Sequence, residues 1–311
     1  MDNTTPNTVD KKILKVISNI DVNKLKGAYN IRKNGKLFIR NTTPNINIVS
    51  KKDKDGIDII IKENTKNESV HIPVILENKN INDLVYNDFH IGKNSDVTII
   101  AGCGIHNDSH KTSEHDGIHT FYVEEGAKVK YIENHYGEGN GAGKNILNPT
   151  TVIYLEKGAS LEMESLQIQG VTSTIRTTKA YLKEDSNLTI KEKIMTTDNQ
   201  EAVTDFYVEL NGENSSTHVV SRSIAKDTSK QQFSSNIQGN TKCFAHVECD
   251  AIIMDKAKVV AIPRIDANNI DANLIHEAAI GKIAGEQLIK LMSLGLSEKQ
   301  AEQEIINGFL K

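Results

Sequence analysis

The chain has 311 residues, with 37 Lys and Arg against 41 Asp and Glu for a net charge of −4. That length allows one large domain or two ordinary ones, 38% hydrophobic residues suffice for a packed core, and the acidic balance argues against a nucleic-acid binder. No apolar run approaches the about 20 residues that cross a membrane, and the opening MDNTTPNTVD lacks the basic flank and apolar core of a secretory signal. Cys103, Cys243 and Cys249 are odd in number and form no CxxC pair, so the sequence predicts free thiols in a reducing cytoplasm.

In chain order, Ile13, Leu14, Ile17 and Ile20 recur at helical spacing and predict a helix over Val9–Ile20. Lys24–Arg40 follows, with six basic residues and no acid. Within it Ile31–Arg40 reads as strand, Asn34-Gly35 turn and strand, either a basic docking surface or a solvated hairpin. These elements make an N-terminal α/β segment, residues 1–70. From residue 71 to 270 short β runs recur behind a polar or glycine corner and a small residue. The corners at Asn94-Ser95, Gly126-Ala127, Gly158-Ala159 and Asp185-Ser186 each lead into alternating apolar positions, and Asp255-Lys256-Ala257 repeats the form. Val97, Val129, Leu161 and Leu188 are spaced by 32, 32 and 27 residues, the signature of stacked coils. The reading is a mainly β protein built as a parallel β-helix, with an antiparallel sandwich as the rival. Residues 271–311 then turn helical. Leu288, Ile289, Leu291 and Met292 lie in one helix and Ala301, Ile305, Ile306 and Phe309 in another, the second opened by a Ser297/Gln300 capping box. Such a pair caps the end of the β-helix or presents a face to a partner.

Five of the ten histidines, His106, His110, His115, His119 and His135, fall within thirty residues, just after Cys103 and interleaved with Asp108, Glu114 and Asp116. Imidazole and thiolate are the usual ligands of zinc and iron. Residues 101–140 carry a net charge of −4, which favours a cation, although the spacing matches no standard structural zinc pattern. Cys103, His106, His115 and His119 are therefore candidate metal ligands on a loop, the alternative being a polar loop crossing the coil surface. In the strand Cys243–Ile253, alternation puts Phe244, His246, Glu248 and Asp250 on one face and Cys249 on the apolar, inward one. His276-Glu277 follows where strands give way to helices, and Ile280 rules out HExxH. Gly137–Asn145 imitates a phosphate loop, but Glu138 and Asn145 break the Walker spacing, so it reads as a flexible loop.

Three stretches resemble the SufB/SufD family, the scaffold subunits of the SUF iron–sulfur cluster assembly machinery. They are Ser221–Ala225 with Phe233–Gly239, Cys249–Ile253 with Ile262–Ile265, and His276–Ile283 followed by Gln287-Leu288, Gly295–Glu298 and Ile306–Phe309. The short chain and the Ala101–His106 stretch resemble members of minimal systems that pair with a single ATPase. The resemblance implies a right-handed parallel β-helix with a C-terminal helical subdomain. It also implies homodimers joined through the C-terminal ends of the β-helices, with the helices docking on a SufC-type ABC ATPase, so that no nucleotide binds this chain. A transient iron–sulfur cluster would be held by Cys249, His276 and Glu277, supplied by a sulfur donor and passed to apo-protein acceptors. Ile275 stands where the family's SufB has an acidic residue. The competing reading is a metal-dependent β-helix hydrolase or lyase working from the Cys103–His119 loop.

Overall fold

The computed structural model describes residues 5–21, 25–77 and 80–310; Lys24, at the head of the basic stretch, lies outside the described residues. The strands form two ten-stranded sheets facing one another across a single core. From Gly56 onward each strand pairs in parallel with those of the neighbouring coils, and successive strands alternate between the sheets, Asn145–Leu147 and Thr150–Leu155 sharing one layer of the second sheet. The result is a β-helix of about 8 turns.

The corners explain the repeat. Asn64, Asn94, Gly126, Gly158, Asp185 and Asn214 all have φ between 55° and 66°, the left-handed conformation that Asn, Asp and Gly tolerate best. Each donates its N–H to a carbonyl of the next coil, at 2.8–3.0 Å. The small residue after each of them is buried, because the chain turns there against the coil below. Val97, Val129, Leu161 and Leu188 are indeed Cα partners on successive layers, continued by Thr217, Ala245 and Leu274. The Asp255 corner belongs instead to a second column, with Asp198 and Asp227, which feeds the other sheet.

The first helix, α1 (Thr8–Ser18), has the Asn7/Asp10 capping box and buries Ile13, Leu14 and Ile17. It lies on the outer face of the first sheet, where a Cβ at Gly104 would stand 2.1 Å from Ile13. The hairpin Ala28–Lys33/Lys36–Asn41 turns at Asn34-Gly35 as expected. Gly139–Lys144 is a loop, but its glycines serve close packing on the loop below: a Cβ at Gly143 would stand 2.0 Å from the Lys111 carbonyl oxygen.

Residues 273–281, within the stretch that reads as helical, form the last strand of the first sheet. Helices α2 (Gly285–Ser293) and α3 (Glu298–Phe309) follow. α3 buries Ala301 and Ile306, the latter against Ile224 and Met254 at the side of the stack, while α2 buries no residue. The pair therefore leaves the final coil uncovered. Lys258–Ala267 and Asn273–Gly281 are the terminal strands of the two sheets, and Val260 and Ile262 are each 49% exposed. None of the described helices is long and apolar enough to cross a membrane.

Candidate functional site at the open end of the coil stack

The penultimate layer of the first sheet carries Cys249. Alternation along Phe244–Ile253 turns its thiol inward, where it is 1% exposed among the core residues, with Ser221 below it and Ala278 above in register. Burial, with the nearby charges of Glu192 and Asp250, pushes the thiol up to about 12. At neutral pH Cys249 is therefore protonated, and neither a nucleophile nor a strong metal ligand until its surroundings change.

His276 stands in register with Val247, on the inward side of the last strand and two residues from the partner of Cys249. The imidazole is half-buried, and neither ring nitrogen has a hydrogen-bond partner. Burial, then the neighbouring His246, lowers its basicity. Glu277 pairs with Glu248 and faces outward, 69% exposed along its side chain, with Oε2 3.6 Å from His246 Nε2. Cys249 and Glu277 thus lie on opposite faces of one sheet. Within a single chain the thiol and the imidazole share an interior, and the carboxylate does not.

The His-rich stretch is not a loop over the coil surface. Cys103 belongs to strand Asp96–His106, His115 and His119 to Ser113–Val123, and only the residues between these strands loop. The three side chains point inward and line a small enclosed cavity with Glu133 and His135. His106 is apart from them, between Asp108 (2.9 Å) and Glu138 (3.2 Å). His115 Nδ1 lies 3.0 Å from Asp83. Asn87 donates to His119 Nε2 (3.2 Å), His119 Nδ1 donates to the Tyr131 hydroxyl (2.7 Å), and Tyr131 donates to Glu133 (2.8 Å). These buried side chains form no open cleft of the kind that the hydrolase or lyase reading expects of a surface loop at Cys103–His119.

Beyond Glu133 the interior stays polar. Arg176 donates to Glu133 Oε2 at 2.5 Å and to His135 Nδ1 at 3.1 Å, and its Nε lies 3.3 Å from Glu192. Ser221, the register neighbour of Cys249, donates to Glu192 at 2.8 Å. The sequence reading missed this series, although the alternation that places Val129 and Leu188 inward also places Glu133, His135 and Glu192 inward.

These interior groups set an acid limit. Burial pushes His119 and His135 down to about 4, against 6.5 for a free imidazole. Burial alone would raise Glu133, but the charges of its neighbours, His135 first and then Arg176 and His119, hold it at about 2. An imidazole that must be neutral when folded takes its proton first in the unfolded chain. Its contribution to stability is complete above pH 6.5 and is lost as pH falls toward 4. The Glu133 contribution, complete above about pH 4.5, is lost between there and about 2. The urea midpoint is therefore expected to start falling just below pH 6.5, before most carboxylates titrate, with a shallower fall in the His119→Gln/His135→Gln variant. A midpoint flat from pH 6.5 to 5 would contradict this.

The family model for the SufBD core domain of SUF-system FeS cluster assembly matches residues 78–309. An iron–sulfur cluster assembly SufBD family protein of Methanothermobacter thermautotrophicus (strain Winter) is 28% identical over 241 residues, which cover 76% of this chain and 57% of that protein. A SufBD family protein of Methanocaldococcus jannaschii is 26% identical over 270 residues, 85% of this chain and 84% of the relative. The iron–sulfur cluster assembly protein SufB of Bacillus subtilis is 36% identical over 102 residues, 32% of this chain and 22% of that protein. The chain thus spans little more than half the length of the Methanothermobacter relative.

Proposed function

The chain belongs to the SufBD family of iron–sulfur cluster assembly proteins, and from that premise we propose that it is a scaffold, not an enzyme, on which a nascent cluster is built where two copies meet. The observation that carries the proposal is the open last coil. There Cys249 and the unpartnered His276 face the same interior, beside terminal strands whose free edges invite pairing. Pairing two such ends gives a closed interface and sets the donors of one copy near those of the other. Glu277, turned outward in its own chain, joins the thiol and imidazole only across such a seam. One thiolate with imidazole and carboxylate holds iron less firmly than four thiolates, which suits a cluster that is cargo to be passed on.

Cys249 as a buried thiol needs the seam to open before it ionises. A SufC-type ABC ATPase docked on α2 and α3 supplies that work in this reading. α2 and its C-cap offer exposed Ile289, Met292 and Leu294, and α3 reaches the strand of Cys249 where Ile252 packs against the Met254–Ile306 cluster, so motion of the helices is transmitted to that strand. The three unpaired cysteines fit a reducing cytoplasm. The test is anaerobic reconstitution with ferrous iron, a sulfur donor and the ATPase. The wild-type protein, as a homodimer, should develop a brown cluster chromophore that disappears as an apo-protein acceptor gains activity. A monomer that never colours would overturn the proposal.

A further inference from the structure

Next to the seam, on the outer face of the same sheet, three side chains converge that the scaffold reading does not use. His218 and His246 are register partners on adjacent strands, their rings stacked at 5.3 Å and 8° from parallel. Glu248 follows His246 by two residues and so shares its face. Glu248 Oε1 lies 3.1 Å from His218 Nε2 and 3.6 Å from His246 Nδ1. One donor atom from each of the three falls within 4.8 Å of the others. The second ring nitrogen of His246, Nε2, is shielded from solvent and has no hydrogen-bond partner. Stacking of like residues on successive coils accounts for the two rings. It does not account for a carboxylate drawn up to both of them.

We propose that His218, His246 and Glu248 form a divalent transition-metal site whose ion is Fe2+. Two imidazole nitrogens and one carboxylate oxygen are a set that ferrous iron accepts while keeping other positions open. All three donors sit on sheet strands, so the backbone fixes their spacing, and only side-chain torsions need adjust. Glu277, whose Oε2 is 3.6 Å from His246 Nε2, lies on the seam side of His246. The site therefore holds iron on the outer face of the strand whose inner face carries Cys249, one residue along the chain from Glu248. That iron is the ion rests on the scaffold reading; that a metal binds here rests on the geometry.

The test uses the full-length apo-protein under anaerobic conditions, with Co2+ as the spectroscopic probe and Fe2+ as competitor. The wild type should bind one Co2+ per chain with visible ligand-field bands and no thiolate charge-transfer band, and Fe2+ should displace it. His218→Ala/His246→Ala should weaken binding by about 10-fold or more, and Glu248→Gln likewise, because each removes a direct donor. Cys249→Ser should leave the Co2+ bands unchanged. Co2+ affinity unchanged in the folded double-histidine variant, or bands lost with Cys249→Ser, would overturn the site. The two readings fail separately. Loss of this one leaves cluster assembly dependent on Cys249, whereas loss of the scaffold reading leaves the Co2+ site intact and cluster yield indifferent to Cys249→Ser.

Discussion

Cys249→Ser is expected to lower cluster yield in anaerobic reconstitution by at least about the 10-fold that loss of an outer-sphere partner costs a metal site, since in the proposed site it removes a ligand outright. The hydroxyl fits where the thiol was, in a site only 1% exposed, so the fold should be preserved. What disappears is the one group that can become a soft anionic ligand and accept sulfur. Cys243→Ser is the matched control. Cys243 occupies the small-residue corner position that Ser95, Ser186 and Ser215 hold in other coils, so serine suits it on structural grounds. A folded Cys249→Ser protein with undiminished yield, or an equal loss in Cys243→Ser, would remove Cys249 from the site. The resting thiol, at about 12, adds a second expectation. Alkylation by iodoacetamide at neutral pH should be slow in the isolated protein and faster with the ATPase and ATP.

The second large effect is on stability. Arg176 is 1% exposed and is flanked by Glu133 and Glu192, both also buried. Arg176→Met is expected to cost about 3–5 kcal/mol, because it leaves two carboxylates without their cation inside the coil. Lys230→Met, which breaks an exposed ion pair with Glu201, should leave the urea midpoint close to that of the wild type. Adding Glu133→Gln and Glu192→Gln to Arg176→Met should restore much of the loss, since the penalty lies in unpaired charge rather than in missing contacts. Urea unfolding of the four proteins decides the matter. A loss below about 1 kcal/mol for Arg176→Met would show that water reaches these carboxylates.

Much of the fold was legible because its rules are local. The left-handed residue and small neighbour at Asn94-Ser95 or Gly158-Ala159 mark a corner wherever they occur, and alternation after them assigns each side chain to a face. That placed Cys249 inward from the sequence alone. The same count would have found Glu133, His135 and Glu192. Their charge argues against burial when the chain is read alone, because the Arg176 that neutralises Glu133 and Glu192 comes from a different coil. The Cys103–His119 stretch reads as a loop because its polarity masks its alternation, although only residues 107–112 loop. His115 and His119 are inward strand residues satisfied by Asp83, Asn87 and Tyr131, the first two of these drawn from a neighbouring layer.

By itself the sequence determined the coil repeat, its register through Val97, Val129, Leu161 and Leu188, and the family to which the chain belongs. Each depends on residues near one another in the chain or on motifs read in order. Which donors meet depends on how the coils stack. Coils of 27 to 32 residues bring positions that far apart to the about 4.8 Å spacing of neighbouring strands, and a shift of one residue sends a side chain to the opposite face. That is why Cys249 and Glu277 part company within one chain while His218 finds His246, and why α3 lies beside the stack and leaves its end open.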